Sequence, residues 1–345
     1  MTVIAVTGVA GTLAQRFMAR LEADLRVSRV VGIDPRHPPS GSPKLEHHEL
    51  DIRDARLAKL LVGADAVVHL AFAHEAMRDE DEMRSVNIDG TANVVEAAIS
   101  AGVGHLIFLS SATVYGAHAD NDVPLTEASP LRPNDDFPPA MHKHRAEQLV
   151  ASFTERAPGA AATILRAATV FGPTAENFLS RMLEAPRLTT VKGFEPPWQV
   201  VHEEDVASAL AFAAARRLSG VYNLAADGWL SGDEVQQISG KRRVELAEPV
   251  AFAMADRLWK AGLTASPPGE LHYVMHPWVL DNAKLRAAGW EPRYTNRAAL
   301  LESLEAHRNW IALGRARVRK DSLALGAAAT LGAVGAMAIL RRRKR

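Results

Sequence analysis

Short apolar runs alternate along most of this chain with longer stretches whose apolar positions recur at helical spacing. Residues 3–8 (VIAVTG) predict a buried strand, and residues 12–24 (TLAQRFMARLEAD) predict the helix that follows it. A second strand is expected over 27–34, a helix over 55–64, a strand over 65–72, and a helix over 88–102 that ends at Gly102, a residue suited to a C-cap. Residues 105–112 predict another strand, the next helix carries Lys143, and 161–171 read as one further strand. Such alternation marks a mostly parallel sheet with helices on both faces, whose ligands sit at the carboxyl edge of the strands.

Beyond Gly172-Pro173 the regularity weakens. Residues 174–198 hold a short helical stretch and the Pro-rich FEPPWQ, 204–217 return to helix, 219–225 predict a strand, and 226–312 are mixed. The expected architecture is α/β: a doubly wound, Rossmann-type domain over 1–173, completed by about 199–225, with a smaller mixed C-terminal lobe from 174–198 and 226–312. A basic linker (313–322), an uncharged run of 18 residues (323–340) and the basic end RRRKR (341–345) follow. As a helix that run would span about 27 Å at ~1.5 Å per residue, close to the hydrocarbon thickness of a bilayer, so a membrane-attached tail helix is expected. The N-terminus has neither a basic n-region nor a cleavage site, so the folded domain is expected on the cytoplasmic side.

The 345 residues contain no cysteine, which excludes disulfides, thiolate nucleophiles and thiolate metal ligands. Forty basic residues balance forty acidic ones, so net charge gives no reason to expect nucleic acid as a partner. None of the 13 histidines falls in a ligand spacing; His47 and His48 lie in a Pro/Ser-rich segment and are expected to face solvent, and no metal is expected.

Candidate chemistry begins at the first strand–helix junction. Gly8 permits a tight turn there, Gly11 lets the backbone approach a pyrophosphate at the helix N-terminus, and Ala14 allows close helix–strand packing. Asp34 closes the second strand, placed to accept ribose hydroxyls. Its carboxylate favours NAD over NADP, with Arg36 leaving NADP as the alternative.

Taken together, TGVAGTLA (7–14), DIRD (51–54), HLAFA (69–73), NIDGTANVVEAA (87–98), FLSSATVYG (108–116), KHRAEQ (143–148), ILRAATVFGP (164–173), VVHEEDVASA (200–209), GVYNLA (220–225) and GWEP (289–292) resemble the extended short-chain dehydrogenases/reductases. The resemblance is to the NAD-dependent epimerase/dehydratase group, which includes UDP-galactose 4-epimerase, and covers roughly residues 1–312. It implies that Asp51 and Ile52 border the adenine, that Leu70 and Ala71 line the cofactor cleft, and that Asn87 sits near it. Ser111 takes the position of the family's catalytic Ser/Thr and Lys143 that of its lysine, which can also bind the nicotinamide ribose. Homodimers are common in the family.

Two departures stand out. Thr169 replaces the asparagine that contacts a sugar nucleotide in many members, and Pro139 stands where the family's tyrosine belongs. A positioned acid/base is worth roughly 10²–10⁴ in rate. Of the four tyrosines (115, 222, 273 and 294), Tyr115 lies nearest in sequence to Ser111 and is the leading substitute, while His142 and His144 flank Lys143 on other faces of its helix. The expected activity is that of an atypical NAD-dependent epimerase/dehydratase or oxidoreductase on a small molecule, either a nucleotide sugar or a lipid-like alcohol. The alternative is a non-catalytic NAD-binding sensor or membrane scaffold.

Overall fold

The structure, a computed structural model, describes residues 1–313 and 316–320. Seven strands form its main sheet: β1 (Thr2–Thr7), β2 (Val27–Ile33), β3 (Leu45–His48), β4 (Ala66–His69), β5 (His105–Ser111), β6 (Ala161–Ala167) and β10 (Gly220–Leu224). The spatial order is β10-β6-β5-β4-β1-β2-β3, and every pairing is parallel. Winding reverses between β3 and β4, so a crevice opens at the carboxyl ends of β1 and β4, the usual ligand position in such sheets.

Strands buried on both faces are mostly apolar, and β4 and β6 are buried throughout, their polar members His69, Thr163 and Arg166 all being hydrogen-bonded. On one face α1 (Thr12–Ala23) packs through Phe17 and Leu21 beside Leu210 and Ala213, residues carried by a later helix. On the other face the short α2 (Leu57–Leu60) and α4 (Gly90–Ser100) pack with α5 (Pro138–Arg156), Val94 and Val95 meeting Val150 and Phe153. Between them, α3 (Glu80–Arg84) runs through a π-turn, Ser85–Asp89, into α4.

The C-terminal lobe is assembled from α6 (Phe178–Glu184), α8 (Gly232–Ser239), α9 (Glu248–Lys260), α10 (Ala283–Ala287), a 3-10 turn at Pro268–Val274 and α11 (Asn296–Ala306); α7 (Glu203–Arg216) is the helix that supplies Leu210 to the main domain. Three two-stranded ribbons accompany them: β7 (Thr169–Phe171) with β9 (Val200–His202), β8 (Leu188–Val191) with β11 (Arg243–Leu246), and β12 (Trp310–Leu313) with β13 (Ala316–Arg319).

Four expectations change. The single strand over 161–171 is broken at Ala168, whose N–H bonds Leu224 O at 2.9 Å, so β7 leaves the main sheet and pairs with β9. The helix over 55–64 shrinks to one turn, as Gly63 adopts φ +80° beyond it. His47 and His48 belong to the edge strand β3: His47 Nε2 lies 3.1 Å from Asp34 O and His48 Nε2 3.1 Å from Glu46. The basic linker contains β13, where Arg317 pairs with the buried Glu184 at 2.9 Å.

The apolar run 323–340 and the basic end lie outside the described residues. Among the described residues no helix is long and apolar enough to cross a membrane, and no group of three or more His, Asp or Glu side chains is placed to hold a metal ion.

Candidate active site

The β1–α1 junction is built on Gly8. Its φ is +74°, and a Cβ there would sit 2.6 Å from Ala71 N and 2.9 Å from Leu70 C, so only glycine lets this turn rest on the backbone beyond β4. Gly11 is the N-cap of α1 and brings no side-chain cap, which leaves the leading amides of the helix to an anionic group. Ala14 is buried against the sheet. Asp34, also buried, accepts from Ala10 N–H at 3.1 Å and Arg36 N–H at 2.9 Å, which fixes its carboxylate beside the loop.

The neighbouring positions divide. Asn87 is buried and clasps Ala73, accepting from its N–H at 2.7 Å and donating to its carbonyl at 3.0 Å, which sets the path of the chain after β4. Asp51 is held by Arg53 at 2.7 Å, and that guanidinium also reaches Glu82 at 2.9 Å; the Arg53 hydrogen bonds hold the Asp51 carboxyl below its usual range. Ile52 turns its side chain into the core beneath Gly90, where an added Cβ would come within 2.5 Å of it.

A cleft with about 1250 Å³ of empty space, open to solvent, runs from Thr12 and Leu13 at the α1 N-terminus past Leu70, Ser111 and Lys143 to the C-terminal lobe. Ser111 ends β5, and its Oγ accepts from Thr113 N–H at 3.2 Å and Thr113 Oγ1 at 3.0 Å. Lys143 rises from α5 with its ammonium 2.8 Å from Leu109 O, 3.6 Å from the Phe72 ring centroid and 4.6 Å from that of Phe108. Burial brings its pKa down to about 7, against a smaller opposing pull from Glu147. A lysine of that pKa can give or take a proton near neutrality.

Pro139 is buried in the first turn of α5, where its missing N–H is harmless. The expectation that Tyr115 replaces the family's tyrosine is corrected by its surroundings. Its side chain is fully buried, its hydroxyl donates to Asn223 Oδ1 at 2.7 Å and accepts from Arg166 Nη1 at 2.9 Å, and it does not border the cleft. Arg166 is in turn paired with Glu147 at 2.7 Å, both nearly enclosed. The sequence motif places Tyr115 close to Ser111 along the chain, but the 3-10 turn Ala112–Tyr115 sends its ring behind the sheet edge. His142 has its Nδ1 3.5 Å from Asn87 Nδ2, and His144 its Nε2 3.3 Å from Gln148 Nε2; neither borders the cleft.

Several groups in the cleft come from places no motif marked. Tyr273, in the 3-10 turn Pro268–Val274, donates its hydroxyl to Thr113 O at 3.1 Å and packs edge-on against Phe137. Burial pushes its pKa far above the usual phenol value, so it stays protonated. Glu270, one turn earlier, has Oε2 buried without a hydrogen-bond partner among the described residues. Burial raises its pKa to about 8, with the nearby Glu75 adding to the shift. Glu75 itself pairs with Arg181 at 3.0 Å. Glu270 and Tyr273 share a short irregular turn in the weakly patterned lobe, so neither period nor spacing distinguishes them.

The model of the "NAD dependent epimerase/dehydratase family" matches residues 4–225. An uncharacterized protein of Mycobacterium tuberculosis is 29% identical over 306 residues, covering 85% of this chain and 81% of that relative. The dTDP-D-glucose 4,6-dehydratase of Mus musculus is 25% identical over 334 residues, covering 89% of this chain and 90% of its own. Among solved structures, MoeE5 in complex with UDP-glucuronic acid and NAD superposes with a TM-score of 0.71 at 23% identity, covering 88% of this chain and 98% of that one. The Rossmann-type sheet, the glycine turn at its first junction and the match over residues 4–225 agree: this chain belongs to the NAD-dependent epimerase/dehydratase family.

Proposed function

We propose that this protein binds NAD along the crevice between β1 and β4 and oxidises an alcohol, or reduces the matching carbonyl, at the Ser111–Lys143 end of the cleft. The observation that carries the reading is one continuous cleft lined by the uncapped N-terminus of α1, by Ser111 and by the buried Lys143. The residues fit the dinucleotide: the Gly8 turn and open helix amides suit a pyrophosphate, and the Asp34 carboxylate suits unphosphorylated ribose hydroxyls. Relatives bound to NAD, such as MoeE5, support the same cofactor.

When bound, NAD supplies the hydride acceptor or donor. The chain's own residues manage the oxygen and its proton. The Ser111 and Thr113 hydroxyls, already oriented by their mutual hydrogen bond, hold the substrate oxygen. Lys143 replaces the family's phenol: its neutral amine takes the hydroxyl proton during oxidation, and its ammonium returns one during reduction. Burial keeps water from the amine and so keeps its pKa low. Because the base must be unprotonated, alcohol oxidation rises as pH increases through about 7.

The test pairs cofactor binding with turnover. Wild type quenches or enhances NADH fluorescence on binding, and Lys143→Met lowers turnover by roughly 10²–10⁴, about 3–5 kcal/mol of barrier, and abolishes the rise near pH 7. Full turnover in Lys143→Met would remove the lysine from proton transfer. A second reading, binding without catalysis, draws on the same lysine, since Leu109 O and two aromatic rings already satisfy its ammonium. Firm NADH binding with no hydride exchange toward any alcohol or ketone would select it.

A further inference from the structure

Behind the cleft lies a second chamber with about 640 Å³ of empty space, between α6, β8, α9 and the turn carrying Glu270. Phe178 and Glu270 border both spaces, so the two adjoin across these side chains. Met182, Val191, Leu246, Leu271 and Val274 form the inner part of its apolar wall, which α9 completes with Ala251 and Ala255. At its mouth Met254 and Leu258 are 42% and 36% exposed, and Val250 and Leu263 extend the apolar surface outward at 54% and 58%. Exposed apolar side chains gathered at the opening of an apolar cavity need a reason beyond packing.

We propose that this chamber takes the hydrocarbon body of the substrate, making it a long-chain or polycyclic alcohol or ketone whose oxygen end lies in the adjoining cleft. The inference rests on the reading of that cleft as the place of hydride chemistry and adds the substrate class. Two observations point to such an occupant. The chamber wall holds no Lys or Arg, and its one ionisable side chain is Glu270, so it offers nothing to the charges of a nucleoside diphosphate. Glu270 Oε2, buried and unpartnered among the described residues, sits where the chamber meets the cleft. There it can hydrogen-bond a hydroxyl or carbonyl of the ligand, and burial keeps this carboxyl protonated at neutral pH and therefore able to donate.

The experiment is displacement of 1-anilinonaphthalene-8-sulfonate from the full chain by straight-chain 1-alkanols from butanol to dodecanol, with NADH affinity measured in parallel. Burial of each methylene predicts affinity rising about fourfold per added carbon until the chamber is full. Ala255→Trp, which fills the chamber from α9, removes that increment while NADH affinity stays within about twofold. Met254→Lys, at the exposed mouth where folding is not at stake, lowers long-chain affinity and spares butanol. A flat chain-length dependence, an unchanged increment in both variants, or displacement by UDP-glucose in place of alkanols would overturn the inference. A chain-length increment without NADH binding would support the chamber and overturn only the cofactor reading.

Discussion

Tyr115→Phe separates a catalytic from an architectural tyrosine. The hydroxyl lies in a fully buried network: it donates to Asn223 Oδ1 at 2.7 Å and accepts from Arg166 Nη1 at 2.9 Å. Phenylalanine preserves the ring over which the Arg166 guanidinium sits at 4.9 Å, so the packing survives and only the oxygen is lost. Two buried polar groups then lose a partner, each at about 1–3 kcal/mol. Arg166 retains Glu147, while Asn223 Oδ1 has no other hydrogen bond among the described residues, so a total of about 2–4 kcal/mol is expected. With a urea slope near 3 kcal/mol/M, the unfolding midpoint falls by about 1 M. Unfolding followed by tryptophan fluorescence reads this directly, and NADH affinity measured beside it should not change. A midpoint within about 0.2 M of wild type, together with lost turnover, would refute the burial argument and return Tyr115 to the chemistry.

Other substitutions probe neighbouring links. Glu147→Ala strands Arg166 in the interior and should cost about 3–5 kcal/mol in urea unfolding, most of it recovered when Glu147→Leu is combined with Arg166→Met. Gly8→Ala places a methyl 2.6 Å from Ala71 N at a φ of +74°, so it should cost at least ~1–2 kcal/mol and weaken NADH binding, read by thermal unfolding and titration. Glu270 gives a pH signature. Its folded pKa, about 8, exceeds the ordinary 4.5, so the unfolded chain releases this proton first and stability declines as pH rises between those values, then levels off. Glu270→Gln should flatten that decline across the window; an identical slope in both proteins would show that the carboxyl ionises freely in the fold.

What the sequence determined about this protein is what depends on neighbours along the chain. The parallel sheet follows from apolar runs alternating with helical periods, and the Gly8–Gly11 turn and Asp34 are legible because one strand–turn–helix–strand unit positions them. Ser111 and Lys143 are legible by resemblance, since a strand end and a helix turn hold them at fixed places in the shared fold. Pro139 declares the missing acid just as openly. Tertiary structure alone decided the rest. A continuous apolar run cannot reveal that β6 and β7 pair with different partners, because that choice is made by β10 and β9, far along the chain. Tyr115 stands four residues beyond Ser111, yet Asn223 and Arg166 draw its hydroxyl away from the cleft. Lys143 acquires its low pKa from burial within the folded domain, and Glu270 acquires its protonated state from burial between two adjoining cavities. Charge, burial and reach are properties of surroundings assembled from distant segments, and they exist only once the chain has folded.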